Sequence, residues 1–464
     1  MPDFKTPGVY IQEIPKLPPS IASVETAIPA FIGYTQMAQD KTAGDLIRKP
    51  TRITSMLDYE KYFGKADPEP GLELTFTNAL TPDVSVIASI NTGTASVHLL
   101  YYSLQFYYAN GGGPCYVIAV DTYAGAGNTI NLTDLQNGID DAGTIDEVTL
   151  LVVPEAINIK GGADPVGDYY SLYDKALTQC LDLQDRFAVM DVYPAGTTGD
   201  LRNKLPVEIS KLKYGAAYYP RLFTRIIYDY SDETKVAVSG VMGSTTLAQL
   251  NTNNNAYYNM AKVAINGMEM LLPASPAVVG QYATTDNLRG VWKAPANVNI
   301  SMATRPELIV TGKDQAGLNV DAVTGKSINV IRSFPGRGPA IIWGARTLAG
   351  NDNEWRYVPV RRFFNMVEES TKNASEQFVF EPNDQNTWTR VKAMIENYLT
   401  SQWKAGALMG ASTAEAFYVH IGLGQTMSEV DIWEGRMIVE IGMAVVRPAE
   451  FIVLTFMHKM LAES

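Results

Sequence analysis

Between Val148 and about Ile300, short apolar runs alternate with amphipathic stretches of helical period, and this rhythm restricts the possible folds more than any other feature. Val148 to Val153 is a strand-length apolar run, Tyr169 to Leu183 repeats its apolar residues at helical spacing, and Arg186 to Met190 is apolar again. Strands buried on both faces lose the in-out alternation of half-exposed ones, and parallel neighbours need a crossover that is usually helical. The pattern predicts an α/β domain with a mostly parallel sheet, continuing through loops rich in Asn (Asn251 to Asn255) and Pro. With 464 residues, 46% of them hydrophobic, the chain can bury more than one core, so two or three domains are expected.

The flanks follow other patterns. Gly8 to Ile14 alternates like a strand between Pro7 and the cluster Pro15, Pro18 and Pro19. Proline cannot donate to a ladder, so this is either an edge strand on an extended N-terminal arm (1–25) or an edge strand of its own domain. Residues 26–147 contain a Thr/Ser/Val-rich stretch, about 68–98, that reads as a small inserted β-subdomain. Leu99 to Tyr108 is helical or strand-like, and Asn110-Gly111-Gly112-Gly113-Pro114 forces a turn before the strand Tyr116 to Val120. After the α/β domain (148–325), residues 326–446 form a C-terminal α+β domain with a helix from Trp388 to Trp403. Trp388, Val391, Ile395, Tyr398, Leu399 and Gln402 share one side of it, and Arg390, Asn397, Ser401 and Lys404 share the other. Thr426-Met427-Ser428-Glu429 reads as a capping box, Gly435 as that helix's end, and Met437 to Val446 and Phe451 to Phe456 as strands, the latter in a terminal arm (447–464).

Catalytic chemistry finds little material. The net charge of −12, without blocks of like charge, argues against a nucleic-acid partner. Cys115 and Cys180 sit in core-like runs and read as buried thiols. The start lacks a signal peptide's basic and apolar regions, and no stretch approaches the roughly 18 apolar residues of a span, so a cytoplasmic origin is expected, with release by lysis or in an assembled particle. Gly325-Lys326-Ser327 resembles the end of a phosphate loop, but Val320 stands where its first glycine belongs. Gly111 to Gly113 precede a strand instead of opening a helix. His98, His420 and His458 stand far apart, and Asp191 and Asp286 read as loop caps. No catalytic residue, metal or cofactor is expected.

Several segments resemble contractile tail sheath proteins, in that family's order. They are Thr6 to Glu13, Asn110 to Val117, Tyr218-Tyr219-Pro220, Thr285 to Asn297, Asn329 to Gly338, Trp343 to Thr347, Trp355 to Arg362 and Val446 to Phe451. Val445 departs from the pattern where relatives often carry proline. The resemblance implies a subtilisin-like middle domain, an architecture only, and subunits stacked as six-membered rings around an inner tube. It implies inter-subunit arms at Gly8, Val9, Tyr10, Ile11, Gln12, Glu13 and Ile14 and at Phe451, Ile452, Val453, Leu454, Thr455 and Phe456, each adding to a neighbour's sheet edge. Expected partners are further copies of the chain, the tube protein, baseplate and terminal cap proteins, and sister sheath proteins, with no nucleic acid or membrane insertion. Arg390, Asn397, Ser401 and Lys404 are either a tube-facing surface or a solvated face. Arg346, Arg356, Arg361 and Arg362 are expected to pair with carboxylates such as Glu368 and Glu369, within the fold or across subunits. The competing readings are a non-contractile shell, which would lack the tube-facing surface and paired arms, and an α/β hydrolase, which would need convergent polar residues.

Overall fold

The structure is a computed structural model describing residues 20–79, 81–159, 163–194, 197–206, 208–241 and 243–454. The chain divides into two compact units: Glu25–Glu368 with the segment after Val446, and Glu369–Val446 with the segment up to Val24.

The larger unit is built on a nine-stranded sheet. Its strands are β1 (Pro29–Thr35), β2 (Thr51–Ile53), β3 (Cys115–Thr122), β4 (Leu150–Val152), β5 (Phe187–Asp191), β6 (Gly215–Tyr219), β7 (Val298–Asn299), β8 (Ile328–Phe334) and β9 (Gly338–Ile342), in the order β7-β9-β8-β6-β5-β4-β1-β3-β2. The run β8-β6-β5-β4-β1-β3 is parallel, and β2, β9 and β7 are antiparallel additions at the two edges. Every residue of β1 and β5 is buried, as the unbroken apolar runs require. Pleating splits them: Ala30, Ile32, Ala188 and Met190 enter one core, Phe31, Phe187 and Val189 the other. Helices α1 (Leu100–Ala109) and α4 (Ser275–Arg289) supply the second core, α2 (Leu132–Ala142) and α3 (Pro165–Leu183) the first. Each buried Leu, Ile or Phe contributes roughly 1.5–3 kcal/mol. The α1–α4 crossing is close because Gly280 has no side chain: a Cβ there would lie 2.6 Å from the Tyr107 carbonyl.

The sheet extends past the expected 148–325 span at both ends, with β1 and β3 before it and β8 and β9 after it. Ladder hydrogen bonds decide membership of a sheet, and a strand far off in sequence pairs as well as a near one. The inserted subdomain shows the same effect. Within the stretch 68–98, Leu72–Thr77 and Ser85–Ile90 pair antiparallel, and a third strand, Ala237–Ser239, joins from far along the chain. Together they cover a separate core that includes Leu74, Phe76, Leu247 and Ile265.

The remaining helices that matter are α5 (Val358–Ser375), α6 (Gln385–Lys404) and α7 (Glu429–Trp433), followed in the smaller unit by the hairpin of β10 (Phe417–His420) and β11 (Glu440–Met443). Asp384 caps α6 by accepting the Asn386 and Thr387 amides, and Trp388, Val391, Ile395, Tyr398 and Leu399 are its buried face. The capping box sits two residues later than the sequence suggests. Ser428 and Asp431 form it, because the Thr426 hydroxyl donates instead to the Ile438 carbonyl at 2.7 Å. Gly435 follows the helix at φ 74°, a conformation that costs a residue with a Cβ more than glycine. Of the expected strand Met437 to Val446 only Glu440–Met443 is one. Val445 instead forms an isolated bridge with Leu408.

Candidate functional site

A two-stranded hairpin has two outer edges, and neither β10 nor β11 has a second strand beside it among the described residues. The Ala444 amide donates to Ala416 at 2.8 Å, which sets the alternation along the ladder. Tyr418 and Gly442 therefore face each other, while the backbone groups of Val419 on β10 and of Ile441 on β11 point outward; the Phe417 amide is already taken by the Thr413 carbonyl. Isolated two-strand ribbons are marginal in water and unpaired edges recruit further strands. The same unit exposes Tyr418, Leu423, Val430, Ile438, Trp433 at 78% and, most fully, Phe380.

Four consecutive apolar residues, Phe451, Ile452, Val453 and Leu454, stand 71–85% exposed in the other unit and belong to none of its strands. Thr455 and Phe456, like the whole expected N-terminal arm Gly8 to Ile14, lie outside the described residues.

Glu450 and Thr26, next to the two expected arms, are both pinned in the larger unit. Glu450 accepts from Arg346 Nη2 at 2.6 Å and Nε at 3.0 Å, from Asn319 Nδ2 at 2.6 Å and from the Tyr357 hydroxyl at 3.2 Å. Burial pushes the Glu450 carboxyl up, but the hydrogen bonds from Arg346 and Asn319 outweigh it and hold the group below the ordinary glutamate value. At the other end, Arg362 donates to the Thr26 carbonyl at 2.9 Å and pairs with Asp286 at 2.5 Å, and the Thr26 hydroxyl donates to the same carboxylate at 2.6 Å. Asp286 is thus a helix residue in a buried ion pair, not a loop cap. Asp191 does cap: Oδ1 accepts the Ala274 and Ser275 amides at the start of α4, and burial raises its pKa to about 6.

The remaining expected site residues separate. Arg361 pairs with Glu368 at 2.5 Å and lies 4.4 Å over the Trp355 ring; Glu369 pairs with Lys372, and Arg356 donates to Asn353. Arg390, Asn397, Ser401 and Lys404 are all exposed on one side of α6, where Arg390 pairs with Glu381 at 3.2 Å and the Ser401 hydroxyl is spent on the Tyr398 carbonyl. The loop-like Lys326 is buried, with its ammonium on the carbonyls of Arg202 and Leu205 at 2.6 Å, a structural use. His98 Nε2 meets the Gly127 carbonyl at 2.8 Å. Among the described residues no His, Cys, Asp and Glu cluster is placed to hold a metal, and no helix is long and apolar enough to cross a membrane. Glu450 is a paired carboxylate that sequence reasoning did not single out, and Asp286 is one that it read as a loop cap. The quoted segments Val446 to Phe451 and Thr285 to Asn297 contained them, without showing that each answers an arginine.

Residues 350–458 match the family model of the phage tail sheath C-terminal domain. The chain resembles the PVC sheath complex of an extracellular contractile injection system in its contracted state, at 31% identity over 99% of both chains and a TM-score of 0.64. It likewise resembles the contracted helical sheath of the anti-feeding prophage, at 30% identity over 98% of this chain and 99% of that one, with a TM-score of 0.66. The tail sheath protein of Vibrio phage KVP40 is 26% identical over 167 residues, a match spanning 36% of this chain and only 24% of the phage protein. Identity of this level along the full length of two contracted sheath structures makes this chain a member of the contractile sheath protein family.

Proposed function

We propose that the chain is the subunit of a contractile sheath that polymerises as stacked six-membered rings around an inner tube and shortens from a metastable extended lattice to drive the tube through a target envelope. The single observation that carries this reading is the pairing of an open two-stranded hairpin with four exposed apolar residues that leave a pinned root. The arm Phe451 to Phe456, and with it Gly8 to Ile14, adds to a hairpin edge of a neighbouring copy. At roughly 0.5–1.5 kcal/mol per hydrogen bond, an arm making about four contributes several kcal/mol per link. Such links persist while whole subunits rotate, so the stored free energy lies in subunit packing and no nucleotide is consumed.

In this reading the parallel sheet with helices on both faces is the family's subtilisin-like domain, and Arg390, Asn397, Ser401 and Lys404 face the tube. Exposed ion pairs there are weak enough to release it. Baseplate and cap proteins close the ends, and the particle is assembled in the cytoplasm. The test is negative-stain electron microscopy of the purified chain and of a variant lacking residues 1–15. Ribbed hollow tubes from the first and folded, unpolymerised protein from the second are expected; tubes from both would refute the N-terminal arm.

A further inference from the structure

One short segment holds the roots of both chain ends. Arg346 grips Glu450 through two nitrogens, at 2.6 and 3.0 Å, and its third nitrogen donates to the Gly350 carbonyl at 3.1 Å. Arg346 and Tyr357 form an antiparallel bridge, closed on either side by Val358 N to Ala345 O at 3.0 Å and Thr347 N to Arg356 O at 2.9 Å. α5 begins at Val358, and its first turns carry Arg362, which grips Thr26 and Asp286. Arg346 and Arg362 are each 3% exposed. Two-pronged arginine–carboxylate contacts are directional as well as strong, and removing one partner of a buried pair strands the other charge.

We propose that residues 345–362 are a bracket joining the two arm roots. Tension between the chain ends passes from Thr26 through Arg362, the start of α5, the Arg346–Tyr357 bridge and Arg346 to Glu450. The stretch Glu369–Val446, which lies between the pins in sequence, holds the N-terminal segment by single hydrogen bonds, Val24 N to the Ser370 hydroxyl at 3.0 Å and the Ser23 and Tyr398 hydroxyls at 3.1 Å, each weaker than a two-pronged arginine pin, so the bracket carries the larger share of the tension. The hairpin that receives neighbouring arms therefore stays folded while the chain's own arms are pulled. Arg346, Arg362, Asp286 and Glu450 are positioning residues, and the use of the bracket in a moving lattice rests on the arm-exchange reading above.

The full chain, held by handles at its two ends in an optical trap, tests the path. In the unaltered protein, Glu369–Val446 is expected to remain folded until the bracket opens. With Glu450→Gln or Arg346→Lys, that stretch is expected to extend first and at lower force, adding roughly 270 Å of contour at about 3.5 Å per residue. Glu307→Gln is the control: it breaks an equally two-pronged pair with Arg221, at 2.9 and 2.6 Å, away from the path, and should leave the first extension unchanged. Asp286→Asn probes the second pin should the Glu450 variant fail to fold. Traces from the Glu450 and Asp286 variants that match the unaltered chain, or an equal loss with Glu307→Gln, would overturn the bracket. Sedimentation of the unaltered chain keeps the two readings apart, because failure to form tubes would count against arm exchange and leave the trap result standing.

Discussion

Replacing Ile441 with proline isolates strand addition from folding. The Ile441 amide points away from β10, so no bond of the hairpin itself is lost, and the proline ring projects into the space an incoming strand would occupy. A neighbour's arm making about four ladder bonds at 0.5–1.5 kcal/mol each forfeits roughly 2–6 kcal/mol at that edge. At 1.4 kcal/mol per decade, the concentration needed for polymerisation should rise on the order of 30-fold to 10⁴-fold. The assay is sedimentation of assembled material across a dilution series, with the thermal midpoint of the unassembled chain measured in parallel. Glu440→Ala, whose amide faces β10, serves as the control and should assemble normally. Assembly of Ile441→Pro at the unaltered concentration, with its thermal midpoint preserved, would show that β11 receives no strand and would refute the edge argument.

Two pH effects follow from the buried Asp191 and the half-buried Glu450, with opposite signs. Asp191 has its pKa raised from 3.8 to about 6 by burial, so the folded state holds a proton that the unfolded chain has already released between those values. Stability should fall as pH rises across that window, by on the order of 3 kcal/mol, and level off above it; Asp191→Asn should flatten the curve in urea unfolding at stepped pH. Glu450 is depressed, so its contribution is fully present above its unfolded value of 4.5 and is lost as pH falls through the folded one. Limited proteolysis should then cut beyond Glu450 faster in acid, and a cleavage rate indifferent to pH would remove Glu450 as the arm's anchor.

Much of the architecture is legible from local pattern, because local forces produce it. Fully apolar runs at β1, β4 and β5 announce strands buried on both faces, and the helical period of Trp388 to Trp403 places its apolar side inward and Arg390, Asn397, Ser401 and Lys404 outward. The glycine turn before β3 and the glycine after α7 are equally local, since they depend on the backbone freedom of a few residues. Where the polarity pattern is ambiguous, short-range reading slips by a residue or two. The Ser428–Asp431 cap, where Thr426 and Glu429 also fit the motif, is one instance. β11 is another, shorter than its apolar run because Val445 is drawn to Leu408 instead.

What the sequence by itself determined is therefore the alternation of elements, the buried and exposed faces, and, through quoted segments in a known order, the kinship with sheath proteins. Only the tertiary structure decided which strands share a sheet, that Ala237–Ser239 completes the inserted one, and that Arg346 answers Glu450 and Arg362 answers Asp286 and not the nearby Glu368 and Glu369. The physical reason is the same in each case. Ladder bonds and ion pairs depend on distance in space, and an arginine carries no local mark of which distant carboxylate will share its burial.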